Sequence, residues 1–62
     1  METRLKEKRE AAKMTQEQLS KKAGISRLTI VNIENGKQET VLASTLIKLA
    51  NALDCAVEEL FA

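Results

Sequence analysis

The strongest hydrophobic pattern in the chain is a stripe of leucines near its C-terminal end: Leu42, Leu46, Leu49 and Leu53. Their spacing of i, i+4, i+7 and i+11 places them on one face of an α-helix. Ile47 and Ala50 widen this face. Thr40 or Ser44 is placed to cap the start of the helix, and Asp54 follows its last leucine. The pattern therefore predicts a helix that begins after one of these caps and ends at Asp54.

Helical patterns also occur at both ends of the chain. Residues 2–13 are rich in Glu, Lys, Arg and Ala, which favour helix formation. One face of this predicted helix, at i, i+4 and i+7, contains Leu5, Arg9 and Ala12. A short final helix has three apolar positions, Val57, Leu60 and Phe61.

The predicted second helix has clear signals at both of its ends. Thr15 and Gln18 form a capping box, in which the hydroxyl bonds the Gln18 amide and the glutamine side chain bonds back to Thr15. Leu19 and Ala23 form its inward edge. Gly24 follows as the left-handed residue expected at a helix C-terminus. A short helix is therefore predicted between Thr15 and Gly24.

The segment 26–35 is ambiguous by propensity, because its β-branched residues suit a strand and its terminal Asn-Gly pair is common in hairpin turns. On a helix capped by Ser26, however, the segment separates into two faces. Ile30 and Ile33 lie on one face. The other face contains Arg27, Leu28, Val31, Asn32 and Asn35. A helix that ends at a left-handed Gly36 explains both faces, so we predict a helix here.

Together these segments predict an all-α fold of five helices in a single domain, residues 1–62. Helices 15–23 and 26–34 are joined by a turn centred on Gly24, which is the layout of a helix-turn-helix whose second helix enters the major groove of DNA. Small or apolar residues occupy the positions where two such helices would pack: Leu19, Ser20, Ala23, Ile25, Ile30 and Ile33.

The segment MTQEQLSKKAGISRLTIVNIENGK resembles the Cro/cI-type helix-turn-helix of phage repressors and the XRE family of bacterial regulators. LIKLANALDCAVEELF is similar to the fourth and fifth helices of that family, so the resemblance covers nearly the whole chain. It implies a compact, lambda-repressor-like domain that binds double-stranded operator DNA as a cytoplasmic homodimer, typically as a repressor, with no cofactor. Asp54 stands where the family usually has Gly and should be left-handed. Ala56 replaces the usual Ser cap, so the fifth helix should fray.

Base-reading residues are expected on the exposed face of the helix 26–34. Arg27 projects ahead of this helix and suits guanine O6 and N7, the alternatives being a phosphate contact or a solvated side chain. Leu28 and Val31 can contact a thymine methyl group, unless they belong to the core or to a protein interface. Asn32 can pair with adenine N6 and N7 or contact a phosphate.

Phosphate contacts are expected beside this face. Gln16, in the first turn of the second helix, is placed to bind a phosphate with the help of the helix dipole. The resemblance implies three further phosphate contacts, Thr15, Asn35 and Lys37. For Lys37, the alternative of an ordinary solvated side chain is equally favoured. The resemblance also implies a partly buried salt bridge between Arg9 and Glu34, neither of which could be buried alone without a large cost.

The distribution of charge fits a DNA-binding domain better than the net charge does. The 62 residues have a net charge of +1. Residues 1–37 contain nine Lys or Arg against five Asp or Glu, whereas residues 38–62 contain one against four. A basic front half suits a polyanionic partner, although solvated charge without a partner explains the same numbers equally well.

The composition excludes several other classes of protein. The chain has no His and one Cys, so it has no His/Cys zinc site, and Cys55 is expected to be a small buried residue in a reducing cytosol. No apolar run approaches the ~20 residues of a membrane span. Glu58 and Glu59 do not converge on a helix, so no catalytic pair is present and an enzyme is not expected. The main alternative is a protein-interaction module, an antitoxin that binds a toxin or an adaptor, with Leu28 and Val31 as its contact patch.

Overall fold

The structure, a computed structural model, describes residues 3–38 and 40–61. These residues form four α-helices and one 3₁₀ helix: α1 (Leu5–Ala11), α2 (Gln16–Ala23), α3 (Arg27–Glu34), α4 (Ala43–Ala52) and the C-terminal 3₁₀ helix (Val57–Leu60). The all-helical class is confirmed, but the count of five α-helices is wrong. The last element has four residues, a length typical of 3₁₀ helices, and its backbone is extended again at Phe61.

The first helix is shorter than predicted. It ends at Ala11, because Lys13 adopts a left-handed conformation with φ of 58°. The Met14 N–H donates to the Arg9 carbonyl at 3.1 Å and closes this end of the helix. Ala12 is consequently exposed and does not lie on the inward face. Residue 2, where the predicted helix begins, lies outside the described residues.

The predicted boundaries of α2 and α3 are confirmed by their caps. The Thr15 hydroxyl accepts the Gln18 N–H at 3.0 Å, and the Gln18 side chain accepts the Thr15 N–H at 2.9 Å. Gly24 is left-handed, with φ of 70°. The Ser26 hydroxyl accepts the Thr29 N–H at 3.2 Å and starts α3. Segment 26–35 is therefore a helix and not a strand.

The turn between α2 and α3 is held by both the backbone and the side chain of one residue. The Ser20 carbonyl accepts the N–H groups of Gly24 and Ile25, at 2.9 and 3.2 Å. The Ser20 hydroxyl donates back to the Ile25 carbonyl at 2.6 Å. Ser20 therefore does more than permit close packing, since its hydroxyl also fixes the angle at which α3 leaves the turn.

The start of α4 differs from the prediction. Neither Thr40 nor Ser44 caps the helix, because Leu42 occupies the N-cap position with an extended backbone. Leu42 therefore does not follow the helical spacing of the leucine stripe, and its side chain is 71% exposed. Val41 is buried in its place, and Ile47 is half exposed. The other end agrees with the prediction, since α4 stops before a left-handed Asp54 with φ of 54°.

The core takes one fully buried side chain from every element. These residues are Leu5, Leu19, Ile30, Leu49 and Leu60. The helix α2 packs against both α3 and α4, so the helix-turn-helix rests on the rest of the domain. Cys55 packs against the core, and this burial raises the pKa of its thiol.

The C-terminal 3₁₀ helix is tied to the start of α1. The Leu60 carbonyl accepts the Arg4 N–H at 2.7 Å, and the Glu59 carboxylate accepts the Ala56 N–H at 2.8 Å in place of a hydroxyl cap. Throughout residues 3–38 and 40–61, no helix has the length and apolar character that crossing a bilayer requires.

Candidate nucleic-acid interface

The helix α3 has one face in the core and one face turned outward. Ile30 and Ile33 are buried and anchor the inner face. Leu28 is 70% exposed and Arg27 is also exposed, which excludes a core position for either side chain. Val31 and Asn32 are half buried and lie outside the hydrophobic core cluster. The four predicted base-reading residues therefore lie together on the outer side of one rigid helix.

Arg27 is available for an external ligand. It is the first residue of α3, directly after the Ser26 cap, whose hydroxyl lies 2.7 Å from the Thr29 hydroxyl. Among residues 3–38 and 40–61, no carboxylate lies within ion-pair distance of its guanidinium. The five N–H donors of this side chain are thus free for an acceptor outside the protein.

The structure contains the salt bridge between Arg9 and Glu34. The Arg9 Nε donates to Glu34 Oε2 at 2.7 Å, and its Nη2 donates to Oε1 at 3.2 Å. The remaining guanidinium nitrogen, Nη1, donates to the Met14 carbonyl at 2.8 Å. Arg9 is 9% exposed, and the Glu34 side chain is 2% exposed. The hydrogen bond to Glu34 raises the pKa of Arg9, against the opposing effect of burial.

Gln16 joins this ion pair, which the sequence did not indicate. Its Nε2 donates to Glu34 Oε1 at 3.0 Å, the oxygen that Arg9 Nη2 also contacts. The Glu34 carboxylate of α3 is therefore bonded both to Arg9 of α1 and to Gln16 of α2, so it links the three helices. The Gln16 amide retains one N–H and its carbonyl oxygen for an external partner, and its orientation is fixed by the bond to Glu34.

The predicted phosphate-binding residues converge at this end of α3. Because Gln16 contacts Glu34, the start of α2 lies beside the residues that follow α3. Asn35 is the C-cap of α3, and Lys37 is exposed two residues later. The Thr15 hydroxyl accepts the capping bond but keeps its own proton to donate. One edge of the outer face thus groups the positive end of the α2 dipole, several free hydrogen-bond donors and a lysine.

Comparison with known proteins identifies the family of the chain. Residues 5–60 match the helix-turn-helix family HTH_3. An uncharacterized HTH-type transcriptional regulator of Archaeoglobus fulgidus is 41% identical over 61 residues, which make up 98% of this chain and 84% of that protein. The uncharacterized HTH-type transcriptional regulator RghRB of Bacillus subtilis is 47% identical over 58 residues, which make up 94% of this chain and 42% of RghRB.

A solved structure shows the same fold. It is the restriction-modification controller protein C.AhdI from Aeromonas hydrophila, which is 38% identical and superposes with a TM-score of 0.87. The match covers 94% of this chain and 86% of that chain. The chain therefore belongs to the helix-turn-helix family of transcriptional regulators. This membership supports DNA-binding transcription regulation as its function.

Proposed function

We propose that this chain is a single helix-turn-helix domain that regulates transcription by inserting α3 into the major groove of a specific double-stranded operator. The observation that carries this proposal is the outer face of α3, where exposed and half-buried reading residues stand opposite a buried isoleucine anchor. A face with free donors, an amide and apolar groups suits base edges. The role is one of binding, without a catalytic step.

The reading residues have distinct chemistry. Arg27 has an unpaired guanidinium that suits the two acceptors of a guanine. Asn32 presents an amide that suits adenine N6 and N7. Leu28 and Val31 present alkyl groups, which suit a thymine methyl. Specificity is expected to come from these side chains, since phosphate contacts hold the register but do not select a sequence.

The phosphate contacts are proposed at the edge where α2 begins and α3 ends. Thr15 and Gln16 offer hydroxyl and amide donors at the start of α2, and Asn35 and Lys37 offer donors just beyond α3. A phosphate at this edge would also benefit from the dipole of α2. The Gln16 bond to Glu34 supports this assignment, because a donor held in one orientation loses less freedom on binding.

A homodimer is proposed as the bound form. Two copies related by a two-fold axis would place their α3 helices in successive major grooves about 34 Å apart, on a roughly palindromic operator. Occupancy of the operator would then block or recruit polymerase.

Salt dependence of binding tests the proposal. A duplex is first enriched from a random pool by repeated binding to the chain, and its affinity is then measured by fluorescence anisotropy over a series of salt concentrations. We expect log K to fall linearly with log[salt], with a slope of about −0.9 for each phosphate neutralised. Failure to enrich any sequence, or an affinity that does not change with salt, would contradict the proposal.

Two lysine variants sharpen this measurement. Lys37→Gln should weaken binding to all sequences and make the slope shallower by about 0.9, since one phosphate is no longer neutralised. Lys48→Gln is the matched control, because Lys48 is also exposed but lies on α4. It should leave the slope unchanged. Equal slopes for both variants would show that Lys37 is an ordinary solvated lysine.

A further inference from the structure

The apolar part of the outer face has a specific chemical consequence. Leu28 and Val31 are three residues apart on α3, so their side chains are neighbours on the helix surface. On the basis of the proposed function, we infer that Leu28, with Val31 beside it, reads the C5-methyl group of a pyrimidine in the major groove. The chain would then bind thymine and 5-methylcytosine in preference to deoxyuridine and cytosine at the contacted position.

Leu28 is one of the exposed large apolar side chains of the protein, and it lies on the outer face of α3. A side chain 70% exposed leaves most of its apolar surface in water, although Ile30 and Ile33 on the same helix are buried. Leu28 also stands between Arg27 and the half-buried Asn32, inside the proposed reading surface. Among the groups on base edges in the major groove, the C5-methyl group is the one that an alkyl side chain can contact favourably.

The chemistry of α3 also excludes direct recognition of cytosine by a carboxylate. Cytosine offers the N4 amine, for which Asp or Glu is the matching acceptor. Glu34 is the one acidic residue in α3, all of whose residues the structure describes. Its side chain is 2% exposed, and both of its oxygens accept hydrogen bonds from Arg9, one of them also from Gln16. No carboxylate of α3 is therefore available to recognise cytosine, and the methyl group is the feature of a pyrimidine that Leu28 can contact.

Methylation at C5 would make cytosine resemble thymine for this surface. The methyl group of 5-methylcytosine occupies the same ring position as that of thymine, and the two bases differ at position 4. An alkyl side chain does not form hydrogen bonds with position 4, so Leu28 cannot distinguish them there. Because Arg27 and Leu28 are consecutive and start a capped helix, the methyl group should lie within about one or two base-pair steps, 3.4 Å each, of the guanine that Arg27 reads.

Single-base replacement in the enriched duplex tests the inference. Each thymine is replaced in turn by deoxyuridine, which removes only the methyl group, and affinity is measured by anisotropy. At one or two positions we expect about 4-fold weaker binding, the effect of no longer burying one methyl-sized group, ~0.8 kcal/mol. At those positions a pair containing 5-methylcytosine should bind tighter than the same pair containing cytosine, by a similar factor.

Two leucine variants show whether Leu28 is the reader. Leu28→Ala should abolish the difference between thymine and deoxyuridine. Leu42→Ala, which removes a leucine of nearly equal exposure from a different part of the surface, should retain the full difference. For each variant the readout is the ratio of its affinity for the thymine duplex to its affinity for the deoxyuridine duplex. A change in overall binding therefore does not affect the comparison.

The two ways in which this test can fail are distinct. If the chain enriches a duplex but no deoxyuridine replacement weakens binding, or if the ratio persists in Leu28→Ala, methyl reading by Leu28 is wrong and the proposed function stands. If no duplex is enriched, the proposed function is wrong and the inference falls with it.

Discussion

Arg9→Ala is expected to lower the free energy of unfolding by about 3–5 kcal/mol, because it leaves the buried carboxylate of Glu34 without its cation. It also removes the donor to the Met14 carbonyl and weakens the link between α1 and α3. The whole stability of a 62-residue domain is about 3–9 kcal/mol. The variant should therefore be largely unfolded at temperatures where the unchanged chain is folded, as measured by thermal and urea melts followed by circular dichroism.

The chain supplies a matched control for this prediction. Arg4 also pairs with a carboxylate through two bonds of 3.0 Å, to Glu7, but both side chains are exposed. Because solvent-exposed ion pairs add little stability, Arg4→Ala should change the melting temperature only slightly. Arg9→Met combined with Glu34→Leu should recover much of the stability that Arg9→Ala removes, since it eliminates both buried charges. Equal melting temperatures for Arg9→Ala and Arg4→Ala would contradict the assigned role of the buried pair.

Replacement of Arg27 and Asn32 together by Ala is expected to reduce affinity for the enriched duplex by at least about 30-fold. Each is proposed to make a bidentate base contact, for which a typical discrimination is ~1–3 kcal/mol. The fold should be retained, because neither side chain belongs to the hydrophobic core cluster. Anisotropy measures the affinity, and circular dichroism with a thermal melt checks the fold.

A second pair of exposed residues is the control for this variant. Lys48 and Asn51 lie on α4, and their joint replacement by Ala should leave the affinity nearly unchanged.

The variant of Arg27 and Asn32 also separates a regulator from an adaptor or antitoxin. If the variant of Arg27 and Asn32 stays folded and keeps its affinity for DNA, base reading by α3 is wrong. A folded variant that no longer binds a protein partner but still binds DNA would favour the adaptor.

The features predicted well from the sequence depend on residues close together in the chain. The caps at Thr15 and Ser26 and the left-handed Gly24 each involve contacts over three to five residues, so the local pattern contains the necessary information. The outer face of α3 follows from helical periodicity for the same reason, once Ile30 and Ile33 are assigned to the core.

The errors concern the path of the chain between elements. Leu42 matched the spacing of the leucine stripe, but the helix begins only at the next residue, and Val41 is buried instead. The left-handed Lys13 likewise gave no sequence signal, because lysine does not favour that conformation. The start of α4 and the conformation of Lys13 depend on how the flanking helices pack. Helical periodicity in the sequence contains no information about that packing.

The site was predicted only in part, because its support is long-range. The bond from Gln16 to Glu34 joins residues 18 positions apart, and the pair of Arg9 and Glu34 joins residues 25 positions apart. Family resemblance suggested the ion pair, but periodicity alone placed only Arg9 on an inward face. The contribution of Gln16 required the structure, in which one carboxylate oxygen serves both neighbours.

Insertion of α3 into the major groove is tested most directly by intermolecular nuclear Overhauser effects in the complex with the enriched duplex. The methyl groups of Leu28 and Val31 should show contacts to base protons of the major groove, whereas those of Leu42 should show none. Contacts to DNA that arise only from other surfaces, with none from Leu28 or Val31, would contradict the assignment of α3 as the helix that reads the operator.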